Sequence, residues 1–430
     1  MTADESGPIA VLPCSLPSVV AKTVARNRSL FQDDVEANAD AIAEAIGGKR
    51  ILVTGAAGSI GSSTVRQIIR YKPAFLAAID LSENNLVELV RDLRGRTGLT
   101  VGDSLKTYTI DFGSTLANRF IGDIGPFDLV FHFAAMKHVR SERDIYSLAR
   151  MIQTNVLQVD RFLSALKHYS RCNLFAVSTD KACAPASLMG ASKRLMEQIV
   201  LWHGQHSGSL VGNANGNGLS LPRVACTRFA NVAFSDGSLL AGYLSRIRKR
   251  QPLAGPNDVR RYFITEDEAG QICLLTAALA ENGQIFVPRL DPESDLKTFD
   301  QIAEIVLNDC GYEPCWYNSD DAARNNMDRD LAKGVYPCFF SASDTSGEKE
   351  FEEFIGPGEI LASSPFASVN IIGRTPVVDS SVLKEVMDGL TTVTASPDPE
   401  KGKEQIVQLL SRAVPTLRHV ERDRDLDRKM

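Results

Sequence analysis

Short apolar runs alternate with amphipathic stretches along most of the chain. Lys49–Thr54, Phe75–Ile79, Thr107–Ile110, Asp128–Phe133, Leu174–Val177 and Arg223–Arg228 are rich in aliphatic, β-branched and aromatic residues. Their length and composition predict buried strands. Helical stretches separate them: Ser59 to Tyr71, Glu83 to Arg94, Met151 to His168 and Leu195 to Trp202. Strand and helix in regular alternation predict a doubly wound α/β fold with a parallel sheet. Upstream, Val35, Ala39, Ile42, Ala45 and Ile46 share one face of a helix predicted over Asp33–Ile46. Downstream, helices are expected from Gly237 to Lys249, Glu266 to Glu281, Thr298 to Cys310 and Glu404 to Val414, with a short strand over Gly283–Val287. Ser207–Gly218, rich in Gly, Asn and Ser, reads as a surface insertion, and the charged end from Arg418 as a frayed tail.

Composition narrows the class. The 430 residues are 44% hydrophobic and 23% charged, ordinary globular values. A net charge of -6 carries no polyanion-binding footprint, so nucleic acid is not an expected partner. No apolar run reaches the ~18 residues of a membrane span. The first residues lack a basic and apolar leader, and the eight cysteines form no CxxC pair. These features predict a cytoplasmic chain with free thiols and no metal site.

Chemistry enters at three places. After the first strand come Gly55, Gly58, Ser59, Ile60 and Gly61. Such glycines permit a tight turn and let backbone N–H groups and a helix N-terminus face a pyrophosphate. Asp80 ends the second strand about 20 residues later, where a carboxylate binds ribose hydroxyls and repels a 2′-phosphate, favouring NAD over NADP. Asp111 and Phe112 are placed for the adenine edge, and Ala134 and Ala135 for close passage of a cofactor. Lys137 and His138 either line the substrate cleft or sit in a solvated loop. Asn155 reads as a bridge to neighbouring backbone. The second place is Ser178-Thr179-Asp180-Lys181, followed by Met189-Gly190-Ala191-Ser192-Lys193. An acid, an amine and a hydroxyl stand together where a parallel sheet binds its ligands. The third is Arg260-Arg261 beside aromatics, suited to a diphosphate. The acidic and aromatic run Glu348–Phe354 has no assigned chemistry. The expected division is an extension over 1–48, a dinucleotide-binding domain with the catalytic loop over 49–235, a substrate lobe over 236–395, and a helix and tail over 396–430.

Thr54-Gly-Ala-Ala-Gly-Ser-Ile-Gly61, His132-Phe-Ala-Ala-Met-Lys-His138, Ser178-Thr-Asp-Lys-Ala182, Met189-Gly-Ala-Ser-Lys193, Arg228-Phe-Ala-Asn-Val232 and Arg261-Tyr-Phe-Ile-Thr265 stand in a familiar order. Over residues 49–310 the chain resembles the UDP-N-acetylglucosamine 4,6-dehydratases of polysaccharide biosynthesis. That family belongs to the extended short-chain dehydrogenase/reductases, which have a Rossmann sheet and a smaller C-terminal substrate lobe. The resemblance implies an NAD-dependent lyase acting on a nucleotide sugar, working as a homo-oligomer. It implies that Asp180 is the acid at the sugar 6-hydroxyl and Lys181 the base at C5. Thr179 would bond the 4-hydroxyl, and Lys193 would hold the nicotinamide ribose. Lys137, His138, Met189, Asn231 and Arg261 would contact the substrate. The acid and base roles oppose the unperturbed pKa values of ~3.9 and ~10.4, and desolvation favours both. Most of the superfamily has Tyr-x-x-x-Lys where this chain has Met189 and Lys193. A thioether cannot take a proton. Methionine there implies the branch that retains configuration at C5, and leaves the base for the 4-hydroxyl open. A 4-epimerase shares the first step but has no need of an acid–base pair at C5 and C6. A non-catalytic NAD sensor or scaffold would bind the cofactor without turnover.

Overall fold

The computed structural model describes residues 15–99, 101–206, 210, 220–343 and 349–419. The predicted insertion over 207–218 lies outside them apart from Leu210, as does the tail beyond His419. The six predicted strands are present as β1 (Arg50–Thr54), β2 (Phe75–Asp80), β3 (Leu105–Thr109), β4 (Leu129–His132), β5 (Asn173–Thr179) and β6 (Val224–Phe229). They lie in the order β3-β2-β1-β4-β5-β6, all parallel, followed by the parallel strand Ile285–Pro288. This is the doubly wound Rossmann order, with its switch point between β1 and β4.

Alternation along the strands builds two cores. Leu52, Ala77, Val130 and Ala176 face one side, with Ile199, Leu383 and Ile406 of the covering helices. Ile51, Val53, Leu76, Phe131 and Phe175 face the other, against Ile272 and Leu275. A third core around Tyr243, Phe263, Val306 and Tyr336 holds the smaller lobe. Two three-stranded sheets belong to that region: Leu296–Thr298 with Arg260–Ile264 and Asn231–Val232, and Glu313–Trp316 with Val335–Ser341 and Leu253–Pro256.

The boundary expected at residue 235 does not confine the main sheet. Ile285–Pro288 joins it, and Val369–Arg374 and Ile360–Ala362 extend it antiparallel. Buried backbone needs ladder partners, and these late strands supply them to what would otherwise be the edge at β6. Helices Ser380–Ala395 and Gly402–Ala413 likewise return to the large domain, packing near Leu188–Gln205 and Ile145–Ile152.

Three helices differ locally from their predicted bounds. The predicted Asp33–Ile46 helix divides at Asn38 into Gln32–Ala37 and Ala39–Ile46. The Met151–His168 stretch starts earlier, at Ile145, and contains a π-turn over Gln153–Leu157. The helix predicted from Leu195 starts at Leu188, because the Ser187 hydroxyl accepts the Gly190 N–H at 3.1 Å as an N-cap. No helix among the described residues is long and apolar enough to cross a membrane.

Candidate active site

The carboxyl ends of the parallel strands open on one cavity of about 1350 Å³. At β1 the chain turns through Gly55, which has φ +67°. A Cβ there would lie 2.6 Å from the Ala134 nitrogen. A Cβ on Gly61 would lie 2.1 Å from the Gly55 oxygen. These two glycines let protein backbone close on itself. Gly58 is different: its Cβ would meet only the Gly55 oxygen, at 3.6 Å. It caps the helix Ser59–Ile69 without a side-chain hydrogen bond. The helix start therefore presents backbone donors and open space to the cavity, which fits the diphosphate of a dinucleotide. Ser59 and Ile60 line the same wall.

Asp80 reaches the cavity from the end of β2. Its oxygens accept the N–H groups of Ala57 at 3.0 Å and Ser82 at 2.9 Å, which fix the carboxylate beside the glycine turn. Asp111 and Phe112 follow β3, and Ala134 and Ala135 follow β4, all on the cavity wall. Asp111 pairs with Arg150 at 3.3 Å. Asn155, in the π-turn, accepts the Met136 N–H and donates to the Met136 carbonyl, each at 2.8 Å. It is the backbone bridge its sequence context suggested. Lys137 and His138 also line the cavity, and the Lys137 ammonium donates to the Asp236 carbonyl at 2.8 Å.

The acid–amine stretch sits at the end of β5, turning through a short 3-10 segment, Asp180–Ala182. Thr179 and Lys181 line the cavity. Asp180 lies just behind them, 1% exposed. One of its oxygens accepts the Thr179 hydroxyl and the Lys181 N–H, both at 2.8 Å, and the Lys181 ammonium at 3.2 Å. Its Oδ2 has no hydrogen-bond partner among the described residues. Asn231 also lines the cavity, with its Oδ1 3.4 Å from the Lys181 ammonium. A Cβ on Gly190 would lie 2.5 Å from the Lys181 carbonyl, so this glycine lets the turn pack directly on the helix that carries Met189 and Lys193. Lys193 lines the cavity yet is 6% exposed, with Nζ 3.3 Å from Met196 Sδ. Burial lowers its ammonium pKa to about 8. His132, beneath it, bonds Thr54 at 2.8 Å and is held neutral, its pKa down to about 3 by burial and then by the Lys193 charge.

Arg261 is not brought to the cavity. It is 5% exposed, and its guanidinium donates to the carbonyls of Arg260 and Lys349 at 2.9 Å and Glu350 at 3.2 Å. Three carbonyl acceptors, two of them from a distant segment, hold the side chain that diphosphate recognition would need. Two acids on or near the site were not foreseen. Glu142 lines the cavity and accepts the Met189 N–H at 2.9 Å; its run Arg140-Ser-Glu-Arg143 reads in sequence as solvated charge. Glu352, in the unassigned acidic run, is buried and feels the charges of Asp180 and Lys181.

Sheet order, glycine turn and cavity together define a doubly wound α/β protein of the Rossmann type. Residues 51–322 match the family described as polysaccharide biosynthesis protein, and the chain belongs to that family. It is 28% identical over 334 residues to the probable polysaccharide biosynthesis protein EpsC of Bacillus subtilis, covering 77% of this chain and 49% of EpsC. It thus spans about half the length of that relative. It is 27% identical to a UDP-N-acetylglucosamine 4,6-dehydratase (inverting) of Campylobacter jejuni, covering 56% of this chain and 67% of that one. Among solved structures, Pen from Bacillus thuringiensis superposes with a TM-score of 0.60 at 18% identity, covering 80% of this chain and 98% of Pen; at that identity the likeness concerns the fold.

Proposed function

We propose that this protein is a nucleotide-sugar 4,6-dehydratase acting on UDP-N-acetylglucosamine with NAD, for the synthesis of a surface glycan. The observation that carries the reading is one turn that sets Thr179 and Lys181 on the wall of the cavity, hydrogen-bonded to the buried Asp180 between them, where the glycine turn and Asp80 also lie. Gly55, Gly58, Ser59, Ile60, Gly61, Asp80, Asp111, Phe112, Ala134, Ala135 and Lys193 would hold the dinucleotide. Bound there, it accepts a hydride from the sugar and gives it back.

The chain's own groups do the rest. Thr179 hydrogen-bonds the 4-hydroxyl and the ketone oxygen that replaces it. The Lys193 ammonium adds positive potential near that oxygen. The ketone acidifies the C5 proton, which the Lys181 amine removes. Asp180 in its acid form protonates the 6-hydroxyl, which leaves as water. The 3.2 Å contact between these two side chains is a path along which one proton converts the ion pair into acid and amine. Lys181 then returns a proton to the face of C5 it drew from, so configuration there is retained. The proton shed by the 4-hydroxyl restores Asp180, and the substrate has lost one water. Lys137, His138, Met189 and Asn231 line the sugar side.

The deciding experiment incubates the protein with NAD and UDP-N-acetylglucosamine and follows product mass and NMR. An 18-dalton loss with a C6 methyl supports the reading. A C4 epimer with its 6-hydroxyl intact would identify an epimerase, and bound NAD without turnover a sensor or scaffold.

A further inference from the structure

The N-terminal extension grips both parts of the molecule. Its first helix, Leu16–Val24, lies on the smaller lobe, with Val19 and Val24 buried in that core beside Val306 and Leu307. Ser18 donates to Asp309 at 2.9 Å, and Lys22 pairs with the same carboxylate. The next two helices, Gln32–Ala37 and Ala39–Ile46, lie on the large domain. Phe31, Ile42 and Ile46 are buried there with Ile272 and Leu275 of the helix Glu266–Leu279. Asp34 accepts the N–H groups of Ala367 and Ser368, each at 2.8 Å, just ahead of the late strand Val369–Arg374.

Between the two grips, Arg26 fills the corner where the smaller lobe runs into the large domain. The strand Arg260–Ile264 of the lobe ends there, and the helix Glu266–Leu279 begins. The Arg26 guanidinium donates through Nε and one terminal nitrogen to the two oxygens of Glu268, at 3.1 and 3.0 Å. It also donates to the Phe263 carbonyl at 3.1 Å and to Asp295 at 3.2 Å. Glu268 belongs to the helix start, where it closes a capping box with Thr265 and accepts the Leu30 N–H at 2.8 Å. Phe263 and Asp295 belong to the lobe, Asp295 just ahead of the strand Leu296–Thr298 that pairs with Arg260–Ile264. One planar fork thus ties helix to sheet, a geometry that lysine cannot supply. The same sheet leads to the cavity. Asn231 pairs with Phe263 and Val232 with Ile264, and the Ala233 N–H donates to the Ile264 carbonyl at 2.8 Å. Asn231, Val232 and Phe263 line the cavity, with Asn231 Oδ1 3.4 Å from the Lys181 ammonium.

We propose that Arg26 is a positioning residue of the cavity: it pins the hinge between lobe and domain, and so holds the strand that carries Asn231 against Lys181. The extension then belongs to the site, although it lies outside residues 51–322. That the lobe receives a nucleotide sugar rests on the dehydratase reading; that Arg26 sets the lobe does not. Without the fork, the lobe spends part of its time displaced, and a ligand that needs the closed lobe binds more weakly in proportion. Once bound, that ligand restores the closed lobe. The dinucleotide side is spared, because the glycine turn is held by Asp80 and packs on Ala134 within the large domain.

Hydrogen exchange and calorimetry test this. In Arg26→Met, peptides over residues 229–235 and 260–265 should exchange about tenfold faster or more, while those of β1 and β5 keep their protection. NAD affinity should stay within about twofold, and UDP-N-acetylglucosamine added to the NAD-loaded protein should bind about tenfold more weakly or worse. In turnover the loss should fall on KM, with kcat within about threefold. Asp295→Ala, which spares the Glu268 pair, should shift exchange and affinity the same way by a smaller factor. Lys22→Ala, on the exposed edge of the extension, should shift neither. If Arg26→Met fails to fold, Asp295→Ala decides. Unchanged exchange at 229–235, exchange that rises equally in β1 and β5, or faster exchange with unweakened binding of the nucleotide sugar overturns the proposal. If the native protein itself does not bind UDP-N-acetylglucosamine, the dehydratase reading falls and the exchange data alone decide the hinge.

Discussion

Arg228→Met is the most demanding test of how the site is held. Arg228 is fully buried on β6, and donates to both oxygens of Glu197 at 2.7 and 2.8 Å and to both oxygens of Glu359 at 2.7 Å. Arg194 completes a set of two guanidinium and two carboxylate groups, 2.9 Å from Glu197 and 2.7 Å from Glu359. Burial raises the Glu359 pKa, but hydrogen bonding and charge from Arg228, with Arg194, override it and bring it from 4.5 to about 2. The Glu359 side chain is 0% exposed, so solvent screening removes little of this. A depression of that size corresponds to roughly 3 kcal/mol. It agrees with the ~3–5 kcal/mol lost on breaking a buried ion pair from one side. In the native protein this stability is present above pH ~4.5 and is lost as pH falls towards 2. In the variant the carboxylate keeps its burial and loses its chief partner, so it takes up a proton on folding. The cost of Arg228→Met should therefore be greatest near pH 7.5 and shrink by pH 4.5. Urea unfolding followed by circular dichroism at both pH values measures it. A cost below ~1 kcal/mol at pH 7.5, or the same cost at both values, would refute the electrostatic account.

Asp180→Asn should keep dinucleotide affinity and abolish water loss; undiminished product by mass spectrometry would remove Asp180 from the acid role. Lys181→Met should stop solvent deuterium entering C5, and continued wash-in read by NMR would exclude it as the base. Gly58→Ala should leave thermal stability within about 0.5 kcal/mol, because its Cβ meets only one atom at 3.6 Å. It should weaken NAD binding by calorimetry at least tenfold, about 1.4 kcal/mol. Gly61→Ala, whose Cβ would meet backbone at 2.1 Å, should instead destabilise the free protein by ~1–3 kcal/mol; equal stability of the two variants would contradict this division of labour.

The alternation of β1 to β6 with helices was legible because each strand is a short apolar run and each glycine or cap marks a turn, all features of adjacent residues. The glycine turn, Asp80 and the Thr179–Lys181 stretch were legible for the same reason: position relative to a strand end determines which side chains reach the ligand face of a parallel sheet. The helix Thr115–Ile124 was missed although Ser114 caps it, its hydroxyl accepting the Ala117 N–H at 3.1 Å. Its signal is one cap and little periodic contrast. The early start at Leu188 was missed because Met-Gly-Ala-Ser is a weak helix former, and the cap and the packing of Gly190 decide it.

Local pattern, then, determined the parallel sheet, the edge on which the cavity opens and the residues in the turn after β5, since all of these follow from neighbours along the chain. Tertiary structure alone decided what stands behind that turn. It returned Ile360–Ala362 and Val369–Arg374 to the main sheet, turned Arg261 from the cavity to the carbonyls of Lys349 and Glu350, and buried Glu352 within reach of the Asp180 charge. A charged run reads as solvated until something covers it. Residues 172 positions apart feel each other's charge only when the fold removes water from between them, and no pattern in either segment records that.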